Sequence, residues 1–230
     1  MPDPAPQDRP LSQPHRKRLR RRETGYTPRF LTFSCYHRLP LLGTPALRWV
    51  FVDALQHAHA KGRFQLIAWV VMPEHLHLMI RPLPGVKWAP IAAGLKTSVA
   101  KRILKHWKNR RPPAPILARL HDARGDLHFW QPGGGFDRNV RSEAELEKEI
   151  RYIHHNPVTR ELAARPEDWT WSSARFWIAR HERYRDVLSW ERSRDDPEPW
   201  DGWWSRAEGG LACDWPPGDW RSWAKWTGFV

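Results

Sequence analysis

The stretch Ala68-Trp-Val-Val-Met-Pro-Glu-His-Leu-His-Leu-Met-Ile80 limits what this chain can fold into more than any other. Trp69, Val70 and Val71 form an apolar run. After Met72-Pro73-Glu74, Leu76, Leu78 and Ile80 alternate with His75, His77 and Met79. Alternation at period two is the mark of a strand. Successive side chains of a strand point to opposite faces, which assigns Leu76, Leu78 and Ile80 to the core and His75 and His77 to the other side. At about 3.4 Å of rise per residue the two imidazoles stand roughly 7 Å apart at Cα, close enough to converge on one divalent ion. Taken alone, His-Leu-His describes only two polar residues on a strand.

The neighbouring segments supply the rest of a sheet and its helices. Arg29-Phe-Leu-Thr-Phe-Ser-Cys-Tyr36 reads as a first strand, rich in aromatic and β-favouring residues. Thr44-Pro45 opens a helix over residues 45–60, with Thr as N-cap and Pro in the first turn, and Lys61-Gly62 ends it. Phe64 to Trp69 is a second strand, or the start of one long strand into the histidine segment, with Met72-Pro73 as a turn or break. A helix beginning at Trp88 or Pro90 runs to about Trp107, with Ile91, Leu95, Val99, Ile103 and Trp107 on one stripe. Its remaining faces carry Lys96, Lys101, Arg102, Lys105 and Lys108, and no acidic residue stands between Pro90 and Asn109. A face of one sign fits phosphate contact better than an ordinary solvated face of mixed charge. A short helix is expected at Ile116 to Leu120. A last strand is expected at His128-Phe-Trp-Gln131, followed by a flexible loop at Gly133-Gly-Gly135.

Ser142-Glu-Ala-Glu145 is a capping-box pattern that opens a further helix, expected to end near Asn156 because Pro157 follows. Leu146, Ile150 and Ile153 form its buried stripe. Glu145, Glu149, Tyr152 and Asn156 lie together on a flanking face, since residues three and four apart are neighbours on a helix. His154 and His155 read as helix-surface or DNA-facing residues. Asp168 to Trp177 reads as a packed segment.

Composition bears on partners. Net charge is +13, which favours a polyanion such as nucleic acid, and 16 tryptophans supply core volume or stacking platforms for unpaired bases. The N-terminus is proline-studded and then basic, with Arg16, Lys17, Arg18, Arg20, Arg21 and Arg22. Such a block reads as a disordered phosphate-binding arm over residues 1–24. Residues 181–230 read as a tryptophan-rich extension that packs on the domain or contacts DNA. Two cysteines give neither a disulfide framework nor a cysteine-rich zinc site, and a reducing cytoplasm fits. No apolar run is long enough to span a membrane, and no membrane partner is expected.

Four motifs now stand in one order: Trp69-Val-Val-Met-Pro-Glu-His-Leu-His77, Phe129-Trp-Gln131, Tyr152-Ile-x-x-Asn-Pro-Val158 and Trp169-x-Trp-Ser-Ser173. Together they resemble the REP-associated tyrosine transposases. These are single-tyrosine members of the HUH nucleases, named for two histidines around a hydrophobic residue. The resemblance spans roughly residues 25–177 and frames a catalytic domain over 25–180. It implies an α+β, ferredoxin-like fold, an antiparallel sheet with helices packed on one face. It also implies that His75, His77 and Asn156 bind Mg²⁺ or Mn²⁺, that Tyr152 is the nucleophile, and that the partner is single-stranded or hairpin DNA. The protein would act as a monomer or homodimer. Imidazole ligands would also tolerate Zn²⁺ or Ni²⁺. The expected activity is cleavage and rejoining of single-stranded DNA of the REP type through a 5′-phosphotyrosine. The alternative is a non-catalytic nucleic-acid-binding protein that retains the fold. Histidine zinc-hydrolase patterns fail because they require Asp or His where Met79 stands.

Overall fold

Four strands form one antiparallel sheet in a computed structural model that describes residues 27–110, 114–133 and 135–180. The arm at 1–24 with its basic residues Arg16 to Arg22, and the extension at 181–230, lie outside the described residues. The strands are β1 (Arg29–Ser34), β2 (Phe64–Val71), β3 (His75–Pro82) and β4 (Phe136–Asn139). Their spatial order is β2-β3-β1-β4, so the histidine strand β3 is internal, paired with both β1 and β2. Helix α1 (Pro45–His59) joins β1 to β2, and helix α2 (Trp88–Asn109) joins β3 to β4. The α+β, ferredoxin-like expectation holds, and both helix starts agree with the sequence reading. Thr44 accepts a hydrogen bond from the Leu47 N–H as the N-cap of α1.

The alternation on β3 separates two cores. Leu76, Leu78 and Ile80 pack with Leu31 and Phe33 of β1 against Val50, Phe51 and Leu55 of α1 and Leu95, Val99 and Ile103 of α2. The three β3 residues are fully buried, worth about 1.5–3 kcal/mol each in apolar transfer. The expected helical layer is therefore α1 and α2 on one face. The structure adds a second: α3 (Glu143–Thr159) lies against the other face, where Leu146, Ile150 and Ile153 meet Phe30, Val70 and Met79. β2 serves both layers. A register shift between Leu66 and Ala68 sends Ile67 and Ala68 to the α3 side and returns Trp69 to the α1–α2 side.

Three expectations are corrected. The fourth strand is Phe136–Asn139, not His128–Gln131. Phe129 and Trp130 are adjacent and both buried, which a half-buried strand does not allow; their segment makes one isolated bridge, Trp130 to Cys35. The sequence Phe-Asp-Arg-Asn has no β-branched residue and becomes a strand by pairing with β1, held by a buried ion pair from Arg29 to Asp137 at 2.8 Å. Second, α3 continues through Pro157 to Thr159, because the Arg160 and Leu162 N–H groups close the last turn onto the Asn156 and Pro157 carbonyls. Third, His154 is not on the surface but fully buried, because residues 169–177 cover that flank of α3.

That segment explains the Trp-x-Trp-Ser-Ser motif. It runs along the free edge of β2, where Val71 N–H donates to the Trp171 carbonyl and Ser173 N–H to the Trp69 carbonyl. Ser173 Oγ accepts from Trp69 N–H at 2.9 Å and lies 2.7 Å from His154 Nε2. Burial pushes the His154 imidazole down to about 3, so it is neutral and joins α3 to the sheet edge through a hydroxyl. Replacing Ser173 by Ala strands two buried polar groups, and equilibrium denaturation should show a loss of about 1–3 kcal/mol.

Candidate active site

His75 and His77 face α3 from the middle of the sheet, and both are buried. Their Nε2 atoms are 3.1 Å apart. Each ring is held from behind. His75 Nδ1–H donates to the Glu74 carboxylate at 3.0 Å, and Arg160, just past the end of α3, bonds that same carboxylate. Burial opposes ionisation of Glu74, but the Arg160 bond and His75 more than offset it and hold its carboxyl below the usual range. Thr32, opposite His77 on β1, places Oγ1 2.8 Å from His77 Nδ1. Phe30 stacks on the His77 ring with centroids 5.3 Å apart. Burial, followed for His77 by the neighbouring His75, lowers both imidazoles, His77 to about 3. Both rings are neutral, the form in which imidazole is a ligand.

α3 brings the remaining groups. Asn156 is buried, its Nδ2 is 3.3 Å from His77 Nε2, and its Oδ1 is buried without a hydrogen-bond partner. One turn earlier Tyr152 sits half exposed with its ring 5.2 Å from that of His77 and 6.0 Å from Phe30. An open cleft of about 460 Å³ lies here, bordered by Tyr152, both histidines, Thr32, Arg38 and Glu149. Among the described residues no group of three or more His, Cys, Asp or Glu side chains is arranged to hold a metal ion. The candidate set is instead two imidazoles and one amide. With Nδ1–H of each ring turned to its oxygen partner, two Nε2 lone pairs face each other across 3.1 Å, beside an unpartnered amide oxygen. A divalent cation fits that donor set, since it would satisfy all three atoms at once. Neutral ligands leave the ion its full charge.

The four-residue spacing of Tyr152 and Asn156 does what a helix requires, placing both on one face. Glu149 shares that face and is held by Arg138 at 2.5 Å. The basic residues of α2 are elsewhere, since α2 packs on the opposite face of the sheet. Lys101, Lys105 and Lys108 are exposed there, and Arg102 is paired with Asp53 of α1 at 2.5 Å. Lys96 Nζ lies 5.6 Å from the Phe33 ring and 3.4 Å from the Gly133 carbonyl. Sequence reasoning missed Thr32 and Arg160 and assigned no role to Glu74. Glu74 carried a signal, standing directly before the first histidine. Thr32 and Arg160 carried none, because each is recruited by strand pairing or by the end of α3.

The glycine loop is also more than a flexible linker. Gly135 has φ +72°, and a Cβ there would sit 2.3 Å from the Thr32 carbonyl oxygen. The tight approach seats β4 on the residue that holds His77.

A family model described as IS200-like transposase matches residues 31–156, more than half of the chain. The chain belongs to the IS200-like transposase family. Among solved structures, a REP-associated tyrosine transposase bound to a REP hairpin is similar to it. That likeness has 22% identity, covers 71% of this chain and 86% of the other, and has a TM-score of 0.53. At that identity the likeness is one of fold, and it bears out the architecture expected from the motifs. A chain from Deinococcus radiodurans R1 classed as a transposase is 16% identical, covering 63% of this chain and 97% of its own, with a TM-score of 0.37. No curated protein matches the sequence. In this member of the IS200-like transposases the matched region takes in β3, α2 and α3 as far as Asn156. Among the described residues no helix is long and apolar enough to cross a membrane.

Gly135→Ala should destabilise the IS200-like domain by at least about 1–3 kcal/mol from backbone conformation alone, with the clash adding to it. Urea denaturation of the two proteins side by side measures this.

Proposed function

We propose that this protein is a metal-dependent DNA strand-transferase that cuts and rejoins single-stranded DNA at hairpin repeats of the REP type, with Tyr152 as nucleophile. The observation that carries the reading is the half-exposed Tyr152 phenol beside His77, one helical turn from the unpartnered oxygen of Asn156. Membership of a transposase family supplies DNA as the substrate class. The hairpin is carried over from the solved structural neighbour.

His75, His77 and Asn156 are the residues that would hold Mg²⁺ or Mn²⁺, which when bound supplies Lewis-acid neutralisation of phosphodiester charge. The other groups act through position. Glu74 and Thr32 fix the ring orientation of the two histidines, and partners of this kind usually matter nearly as much as the ligands themselves. Phe30 and the α3 backbone hold the Tyr152 ring over the cleft. Tyr152 Oη forms a bond to phosphorus, and the bond from phosphorus to the 3′ oxygen breaks. The phenol gives up its proton as that bond forms, and the 3′ oxygen takes one up and leaves as a hydroxyl, so protons balance. The 5′ end stays on the enzyme as a phosphotyrosine ester, which conserves the bond energy for rejoining. Attack by a 3′-hydroxyl then reverses the step and frees Tyr152. The exposed lysines of α2, with Lys96 and Arg102, supply phosphate contacts away from the chemistry, and the basic residues Arg16, Lys17, Arg18, Arg20, Arg21 and Arg22 supply further ones. No long apolar helix offers a membrane partner among the described residues, and the enzyme acts as a monomer or a homodimer.

Incubation with single-stranded hairpin DNA from repeats flanking the gene, with Mn²⁺, should give a covalent protein–DNA band on a denaturing gel. Tyr152→Phe should abolish that band and leave binding intact. Tight binding without a covalent band, across several repeats and both metals, would instead make the protein a non-catalytic binding module. A second check is independent of DNA. Glu74→Gln and Thr32→Val should each weaken Mn²⁺ binding by roughly 10–100-fold, read by calorimetry.

A further inference from the structure

The cleft contains an aromatic side chain that the proposed chemistry does not use. Phe136 is 48% exposed, although it begins β4 and is paired with Thr32 of β1. Each described tryptophan, by contrast, is buried or half-buried, with Trp88, Trp107, Trp130 and Trp177 inside the core. Trp49, Trp169 and Trp171 are half-buried, and no described tryptophan is among the exposed large side chains. Among the described residues the large exposed apolar or aromatic side chains are Phe136, Tyr152 and Leu162. Two of these three border the same cleft, and both pack edge-on at 6.0 Å against one buried ring, Phe30.

The position of Phe136 is built rather than incidental. Gly135 fits against the Thr32 carbonyl only because it lacks a Cβ, which anchors the entry to β4. The buried Arg29–Asp137 pair, at the next position along, holds the strand to β1 on the far side of the sheet. Phe136 therefore stands on a fixed backbone, its ring steeply inclined to that of Phe30 and about half of it open to solvent. The chemistry around it is that of a nucleotide. Arg38 and Lys148 are exposed cations on the rim of the cleft. Arg138 points to the same side two residues along β4, but Glu145 and Glu149 already neutralise it. Arg38 itself has a positive φ of 53° directly after His37 at 50°, a backbone conformation that costs free energy and clusters at functional sites.

The geometry points to Phe136 as a base-stacking platform for one unpaired nucleotide flanking the phosphodiester presented to Tyr152, with Arg38 and Lys148 receiving its phosphates. This rests on the reading that DNA enters the cleft, and it adds a subsite for an unstacked base. The interaction is tolerant of base identity because every base has a π-face. It would select single-stranded over paired DNA at this position, since a paired base has both faces covered.

The test uses the full chain in the Tyr152→Phe background with EDTA, so binding is read without any catalysis. The probe is a hairpin from the flanking repeats with 2-aminopurine placed in turn at each unpaired position beside the stem. At one position the fluorophore should be quenched on binding. Phe136→Ala should relieve that quenching and weaken affinity roughly 5- to 100-fold. Phe136→Trp should restore both. Phe136→Leu keeps an apolar side chain and covers the case in which the alanine variant does not fold; it should behave as Phe136→Ala does. An abasic site at the quenched position should weaken the parent protein to the level of Phe136→Ala and leave that variant unaffected. Equal affinity of parent and Phe136→Ala overturns the proposal. So does an equal loss on a fully paired duplex, or a change in oligomeric state without a change in affinity, which would make Phe136 a contact between copies. The two readings fail separately. Loss of the covalent band from protein with native Tyr152 would reject strand transfer while the quenching stands. Persistence of that band with unchanged Phe136→Ala binding would reject the platform alone.

Discussion

Two neutral imidazoles buried in the middle of a sheet are costly unless each polar atom has a partner, and the protein is arranged to provide those partners. Strand alternation turns His75 and His77 away from the α1–α2 core, and α3 then closes over them. Burial removes water from both rings, so their hydrogen bonds come from protein: Glu74 for one and Thr32 for the other. Thr32 depends on the β1–β3 register, which sets it opposite His77, and on Gly135, which leaves its carbonyl room. Glu74 depends on Arg160 beyond the end of α3. What the protein leaves without a partner is the Asn156 oxygen, beside two Nε2 atoms that meet only nitrogen, each other and Asn156 Nδ2. That cluster is the part of this polar network that the protein leaves open.

The placement of α3 follows from the same constraint. A helix carrying both Tyr152 and Asn156 must lie close enough to the sheet for Asn156 to reach His77, yet Tyr152 has to stay accessible. The helix meets both demands by rotation. Ile150 and Ile153 face the sheet, Asn156 points under the last turn, and Tyr152 lies on the open flank. Its other flank is fixed by His154 and Ser173, and through Ser173 by the segment that completes the edge of β2. The tryptophan motif at 169–173 is therefore architectural, with Trp169 Nε1 donating to the Val71 carbonyl and Trp177 Nε1 to that of Ile67. The sheet also divides labour. The cationic side chains of α2 lie behind it, and the cleft that holds Tyr152 lies in front.

Much of the site could be read from residues in order. Alternation placed the histidines on one strand face, and the capping box with four-residue spacing placed Tyr152 and Asn156 on one helix face. The misreadings have physical causes. The run from Leu66 to Met72 is apolar throughout because β2 is buried on both sides and changes face at a bulge, so periodicity carried no signal there. Phe136-Asp-Arg-Asn lacks strand propensity and is made a strand by its neighbour, while His128 to Gln131 has the propensity and is used as core filling. Pro157 marks a helix end by its missing N–H, yet in a last turn the lost bond costs little and downstream amides close the helix. His154 is adjacent to the site motif and looked exposed, because nothing local foretells that a segment some twenty residues later will cover it.

The sequence by itself determined which local element carries each candidate residue, because a strand's period of two and a helix's near-four spacing act within a few residues. It also determined the net positive charge of the chain. Tertiary structure alone decided that these elements meet. Pairing of β1 with β3 set Thr32 behind His77, packing of α3 brought Asn156 to within 3.3 Å of the ring, and the tight turn at Gly135 left Phe136 open beside Tyr152. Such contacts join residues up to about a hundred positions apart, and burial, which removes competing water, is what gives them their strength.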